Sequence, residues 1–302
     1  MAWRSLNYTP WGLMRRCLTP GIMTIALSAA ALAPAADGAV RPKPMRIVSM
    51  HLCLDELVLR LANRKNIASI TWLSQSPSSS NVSELAALMP INHGLAEEII
   101  PLKPDLVLAG LYTSRAAVAL LKRSAVPLME LDVPNSIEGV RKQYLEMAEV
   151  LGERNKGERT VADIDDRLAK LAATPAGWRP RAVVLDPNGI TVGVDTLANE
   201  IISRAGLENI AASLRIDNYG QIPLETIVTE NVEVLIVSAS RDGPPAMATE
   251  VLKHPVIARI AGRTRVVVMP TRLWSCGGPA VVDAIELLTG VAKDVRSRAE
   301  RE

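Results

Sequence analysis

Along most of this chain, short runs that are apolar almost throughout alternate with amphipathic runs. RIVSM (46–50), IASIT (67–71), DLVLAG (105–110) and VPLMELD (126–132) are of the first kind. They fit strands covered on both faces of a parallel sheet. LDELVLRLA (54–62) and SRAAVALLKRS (114–124) place apolar residues at helical spacing between them, so residues 45–150 are expected to form one α/β lobe. RAVVLD (181–186), ITVG (190–193), VEVLIVSAS (232–240) and RVVVMP (265–270) repeat the pattern, with helices over 196–206 and 280–295. A second α/β lobe is expected over 180–296.

The segment between the two series has another character. SIEGVRKQYLEMAEVL (136–151), an interruption at Gly152 and ERNKGERTVADIDDRLAKLAA (153–173) are rich in charge. Val161, Ile164, Leu168 and Leu171 keep one apolar stripe. This predicts a connecting helix over 151–175 that bridges two bodies, ended by the prolines and glycine of TPAGWRP (174–180).

One short device occurs twice. AEEIIPLKPDLVLAG (96–110) returns as LETIVTENVEVLIVSA (224–239), with eight residues from Glu97 to Asp105 and eight from Glu225 to Glu233. A first-turn glutamate gains about 0.3–1 kcal/mol from the helix dipole, which justifies each acid alone but not the matched offset. Duplication of an α/β lobe accounts for both. Two matched acidic points suit a partner with two matched basic points.

With 302 residues, 48 % of them hydrophobic, the chain is large enough for two cores. Phe is absent and aromatics make up 3 %, so Leu, Ile, Val, Ala and Met must build those cores. Residues 1–36 form an expected export signal: Arg15 and Arg16, the apolar run GIMTIALSAAALA (21–33) and small residues for cleavage. The arginine pair also fits a twin-arginine signal. Removing residues 1–35 takes away three of the 34 basic residues and none of the 32 acids. The net charge of +2 becomes about −1, and the case for a nucleic-acid partner goes with it.

Candidate chemistry is sparse. There is no P-loop, no G-x-G-x-x-G after a strand and no G-x-S-x-G. His51, His93 and His254 lack metal-ligand spacing, so no catalytic residue, resident metal or cofactor is expected. Trp72, Tyr112 and Trp274 fall at or beyond the carboxyl ends of predicted strands, the edge where open α/β sheets bind ligands. Tyr219 is placed in a Gly-flanked loop. Aromatics gathered at a cleft suit a bulky, partly apolar guest. His51 follows the first strand as a capping residue or a ligand contact, and Arg115, Arg241 and Arg272 are candidates for anionic ligand groups. Cys53 and Cys276 remain after cleavage and have three open fates: a disulfide, soft ligands, or inert burial.

RIVSMHLCLDELVLRLA, EEIIPLKPDLVLAG, LLKRSAVPLMELDVPNSIEGV, YGQIPLETIV and LWSCGGP together resemble the helical-backbone (class III) periplasmic binding proteins of ABC importers. These capture ferric siderophores, vitamin B12 and haem. The likeness spans roughly residues 45–295, and its second device is degraded, with Asn231-Val232-Glu233 where Pro-Asp usually stands. It implies two Rossmann-like α/β lobes joined by a single long helix, with the ligand cleft between them. It also implies that Glu97 and Glu225 dock on arginines of a dimeric permease served by ATPase subunits. Ligand contacts implied by the family fall at His51 and Cys53, at Trp72, and at Trp274 and Cys276.

The expectation is a monomeric periplasmic protein that binds a metal chelate for import and performs no covalent chemistry. Two other functions compete with it. One is a metal-dependent periplasmic enzyme using His51, Cys53 and Cys276; the other is a sensor without transport.

Overall fold

A computed structural model of the chain describes residues 42–171, 177–239, 255, 257 and 263–301. The leader and Arg241 lie outside the described residues. In chain order the first lobe contains β1 (Ile47–Ser49), α1 (Leu52–Leu61), β2 (Ile67–Thr71), α2 (Ser83–Ala86), β3 (Ile91–Asn92), α3 (Ala96–Ile99), β4 (Leu106–Gly110), α4 (Arg115–Arg123) and β5 (Leu128–Leu131). Its sheet runs β3-β2-β1-β4-β5, and every pairing is parallel. All residues of β1 and β4 are buried, as two-sided helix cover requires.

Two helices follow, α5 (Ile137–Val150) and α6 (Arg154–Lys170). Gly152, at φ 66°, makes the turn between them. α6 then runs back along α5, with Gly157 so near Ala148 that an added Cβ would lie 2.4 Å from the alanine Cβ. At the first end of α6, Lys156 Nζ donates to Leu61 O at 2.8 Å. Near its last turn, Arg167 pairs with Asp283 and donates to Pro279 O. α6 therefore touches both lobes, and Ile164 is buried at its middle.

The second lobe contains β6 (Arg181–Val184), β7 (Ile190–Val192), α7 (Leu197–Arg204), β8 (Glu208–Asn209), α8 (Ile210–Ser213), β9 (Tyr219–Gln221), α9 (Leu224–Thr229), β10 (Val234–Ala239), β11 (Arg265–Pro270) and α10 (Ala280–Ala299). Its sheet runs β11-β10-β6-β8, also parallel. Strand for strand, β8-β6-β10-β11 repeats β2-β1-β4-β5.

Two expectations need correction here. ITVG does not enter the parallel sheet, and Tyr219 is not in a loop. β7 pairs antiparallel with β9, which begins at Tyr219. The PNG turn is the reason: Asn188 and Gly189 take positive φ, and the chain folds straight back so that Asp186 N–H reaches Ile190 O at 2.8 Å. So tight a reversal cannot supply the long crossover that a parallel neighbour of β6 needs, and β7 leaves that sheet.

The alternation of each first strand divides the core. Ile47 in β1 and Ala182 and Val184 in β6 point into one large cluster. That cluster also holds Leu57, Tyr144, Ile164, Ile201, Ile285 and Leu288, and so runs through both lobes and the helices between them. Val48 and Val183 point the other way, into a smaller cluster in each lobe. Each fully buried Leu or Ile in the shared cluster contributes about 1.5–3 kcal/mol.

Candidate functional site

The repeated device has one geometry in both lobes. Glu97 lies in the first turn of α3 and Glu225 in the first turn of α9. Both side chains are exposed, and neither carboxylate has a hydrogen-bond or ion-pair partner among the described residues. Six residues on, Lys103 and Asn231 take the same left-handed turn, at φ 47° and 48°. The acids that follow then do equivalent work. Asp105 accepts from Met45 N–H at 2.7 Å and Arg46 N–H at 2.9 Å, while Glu233 accepts from Arg181 N–H at 2.8 Å. Each ties down the chain as it enters the first strand of its lobe, so Glu233 restores what the missing Pro-Asp supplies in the first copy.

Between the lobes lies a cleft of about 230 Å³. Loops after β1, β4 and β5 form one wall, and residues 195–198, 218–219 and 274–275 form the other. The first wall and residues 274–275 follow the carboxyl ends of parallel strands, the edge where open α/β sheets bind ligands, and residues 195–198 and 218–219 come from the β7–β9 pair. His51 caps α1, its Nδ1 accepting from Cys53 N–H at 3.3 Å. Its ring lies over Gly110, where a Cβ would come within 2.7 Å, so glycine is required at the end of β4. Burial lowers the His51 pKa and favours the neutral ring. With Nδ1 accepting, the proton resides on Nε2, and His51 offers a donor rather than a free lone pair.

Tyr112 stacks on His51 with ring centroids 6.3 Å apart and is 70 % exposed. Tyr219 faces the same cleft from the other lobe and is 61 % exposed. Desolvation, then the nearby Tyr112 and Asp186, raise its pKa. Trp274 is the buried member of the wall, 8 % exposed and packed into the shared core. Cys53 and Cys276 form a disulfide that joins the start of α1 to the loop after β11. Both sulfurs are bonded to each other, so the metal-binding set His51, Cys53 and Cys276 does not exist in this form.

Other expected contacts fall outside the cleft lining. Trp72 sits on a turn after β2, half exposed, with its ring beside His93. Arg115 begins α4 and pairs with Glu130 at 3.4 Å. Arg272 bonds Asn81 in the other lobe: its guanidinium donates to Asn81 Oδ1 at 2.9 Å, and Asn81 Nδ2 donates back to its carbonyl. The cleft also contains Asp132, Asn135, Asp195 and Asn218, which sequence reasoning missed. Asp132 ends a predicted strand and Asn135 follows it in LDVPNS, and applying the sheet-edge rule to polar residues as well as aromatics finds them.

Beneath the first loop lies Asp55, fully buried. Its Oδ2 accepts from Thr71 N–H at 3.0 Å, Ser74 Oγ at 2.6 Å and the Thr71 hydroxyl. Burial nevertheless raises its pKa to about 7.

Two parallel α/β sheets sharing a core, with a cleft between their lobes, define a two-lobed binding protein. Residues 47–271 match the periplasmic binding protein family, and the chain belongs to it. It is 25 % identical over 222 residues to the cobalamin-binding protein of Halobacterium salinarum, a match covering 72 % of this chain and 60 % of that protein. The chain thus spans less than two thirds of that relative. It is also 25 % identical over 264 residues to the ABC transporter substrate-binding lipoprotein YvrC of Bacillus subtilis, covering 83 % and 81 %. The periplasmic heme-binding protein RhuT from Roseiflexus sp. RS-1 shares the fold, with TM-score 0.68 and 22 % identity over 83 % of this chain and 98 % of that one.

Proposed function

We propose that this protein is the solute-capturing component of an ABC importer. It holds one metal chelate, a ferric siderophore, cobalamin or haem, in the interlobe cleft and presents it to a permease dimer driven by ATPase subunits. The observation that carries this is the cleft itself, built by both lobes and faced by Tyr112, Tyr219 and Trp274. Aromatic surface buries the ligand, and the His51 donor with the asparagine and aspartate side chains orients it. Related proteins named for cobalamin and heme support that ligand class.

Export by the leader over residues 1–36 delivers a monomer to the periplasm. Glu97 and Glu225, one exposed carboxylate per lobe at equivalent positions, dock the loaded protein on basic residues of the permease. Reversing both charges (E97K/E225K) abolishes chelate uptake in cells and stimulation of the importer ATPase, with chelate affinity unchanged. Uptake that survives the double reversal removes the docking role, and a chain that binds chelate without stimulating any importer is a sensor instead.

A further inference from the structure

We infer that the interlobe cleft selects chelates by charge: Asp132 and Asp195, one carboxylate from each lobe, favour a neutral or cationic chelate and disfavour an anionic one. The inference deepens the proposed function and rests on the cleft being the ligand site. Siderophores, corrinoids and haem differ in net charge, so a charge preference divides that class.

Asp132 follows β5 in the first lobe, Asp195 stands just before α7 in the second, and both line the cleft. Both residues are exposed, and neither carboxylate has a hydrogen-bond or ion-pair partner among the described residues. Among those residues no lysine or arginine lines the cleft. Arg115 and Arg272, expected to meet anionic ligand groups, are outside the lining and engage Glu130 and Asn81 instead. His51 adds no positive charge, because burial favours its neutral ring. The described walls therefore offer two negative charges and no positive one.

The uncharged polar groups do not reverse this. Thr196 is spent on capping α7, its hydroxyl accepting from Asn199 N–H at 3.1 Å and donating to Gly193 O at 2.9 Å. His51 Nε2–H and the amides of Asn135 and Asn218 are neutral donors. They can orient a ligand, but they cannot supply the counter-charge that an anion needs when it loses its water. In the open cleft, solvent and salt screen the two aspartates. A chelate that fills the cleft displaces that water, and the low-dielectric walls then focus the negative field on it. An ammonium or amide N–H gains an acceptor there, whereas a carboxylate meets like charge.

Calorimetric titration of the mature chain with three scaffolds, each in two charge forms, tests this. The pairs are ferrioxamine B and its N-succinyl derivative, cyanocobalamin and its monocarboxylic acid, and haem dimethyl ester and haem. For whichever scaffold binds, the neutral or cationic form is expected to bind at least about tenfold more tightly than the anionic form. In D132N/D195N that gap should fall to within about threefold. Asp195 has φ 57°, a left-handed conformation that asparagine also adopts, so the exchange removes charge without straining the turn. Equal affinities, or tighter binding of the anionic form, overturn the inference while leaving the cleft as a chelate site. A gap that persists in D132N/D195N overturns the role of the two aspartates, and the native comparison decides the charge preference without any variant. If no scaffold binds in either form, the ligand reading itself fails and the inference falls with it.

Discussion

The two copies of the repeated device differ where their sequences differ most and agree where their geometry does the work. The first has Lys103-Pro104-Asp105 and the second Asn231-Val232-Glu233. Both turn through the left-handed region, and both end with a carboxylate on the backbone that enters the first strand of the lobe. The longer Glu233 side chain reaches one N–H where Asp105 reaches two. The second acid of each copy is thereby explained by folding alone. The first acid is explained less fully: Glu97 and Glu225 are exposed and have no side-chain partner among the described residues, so the helix dipole accounts for each acid but not for their matched offset. The structural carboxylate survives a change of residue, whereas the first-turn glutamate is the same in both copies, and a helix-dipole gain of about 0.3–1 kcal/mol is all that folding offers it.

Substitutions at these four acids, and at one buried carboxyl, separate docking from folding. The largest effect is expected from reversing one glutamate at a time. If the two lobes dock equivalently, Glu97→Lys and Glu225→Lys each lower uptake by at least about tenfold, and a markedly unequal pair of values shows that one lobe dominates.

The next effect separates the lobes by pH. In the first lobe the opening loop folds over a fully buried carboxyl, Asp55, whose pKa of about 7 lies above the ordinary 3.8, whereas Asp186 after the first strand of the second lobe is only partly buried, though burial raises its pKa too. The folded chain therefore retains a proton that the unfolded chain gives up, and stability falls as pH rises toward 7. Relative to Asp55→Asn, which cannot ionise, the native protein should lose about 2–3 kcal/mol between about pH 5 and about pH 8. Urea denaturation at the two pH values measures this, and parallel profiles for the two proteins contradict it. His51 shifts the opposite way, but it is present in both proteins and cancels.

Smaller effects test the two structural acids. Asp105→Ala, which frees two backbone N–H groups, should cost about 2 kcal/mol, and Glu233→Ala, which frees one, about 1 kcal/mol. Chemical denaturation giving the reverse order removes the proposed equivalence. Neither change should alter uptake beyond its effect on folded protein.

The parallel sheets were legible because buried strands are apolar on both faces, and the predicted IASIT and RVVVMP coincide with β2 and β11. The duplicated device was legible because its spacing survives. β8 and β3 were missed, since two residues carry no periodicity. The β7–β9 pair was missed because YGQ, which forms β9, is too short and too polar to read as a strand. In the cleft, aromatic placement after strands found Tyr112 and Trp274. Trp72 also follows its strand as expected, but it does not line this cleft and its ring lies beside His93. The close approach of Gly277 to Pro134 and Val140 depends on residues far away in sequence, which local pattern does not encode.

The central claim is that the interlobe cleft holds a metal chelate against Trp274. Fluorescence titration of the mature chain with haem, cyanocobalamin and a set of ferric siderophores tests it, with Trp274→Phe and Trp72→Phe measured alongside. Saturable quenching by one chelate is predicted, retained in Trp72→Phe and largely lost in Trp274→Phe. Absence of quenching by every chelate, or quenching that depends on Trp72 instead of Trp274, contradicts the claim.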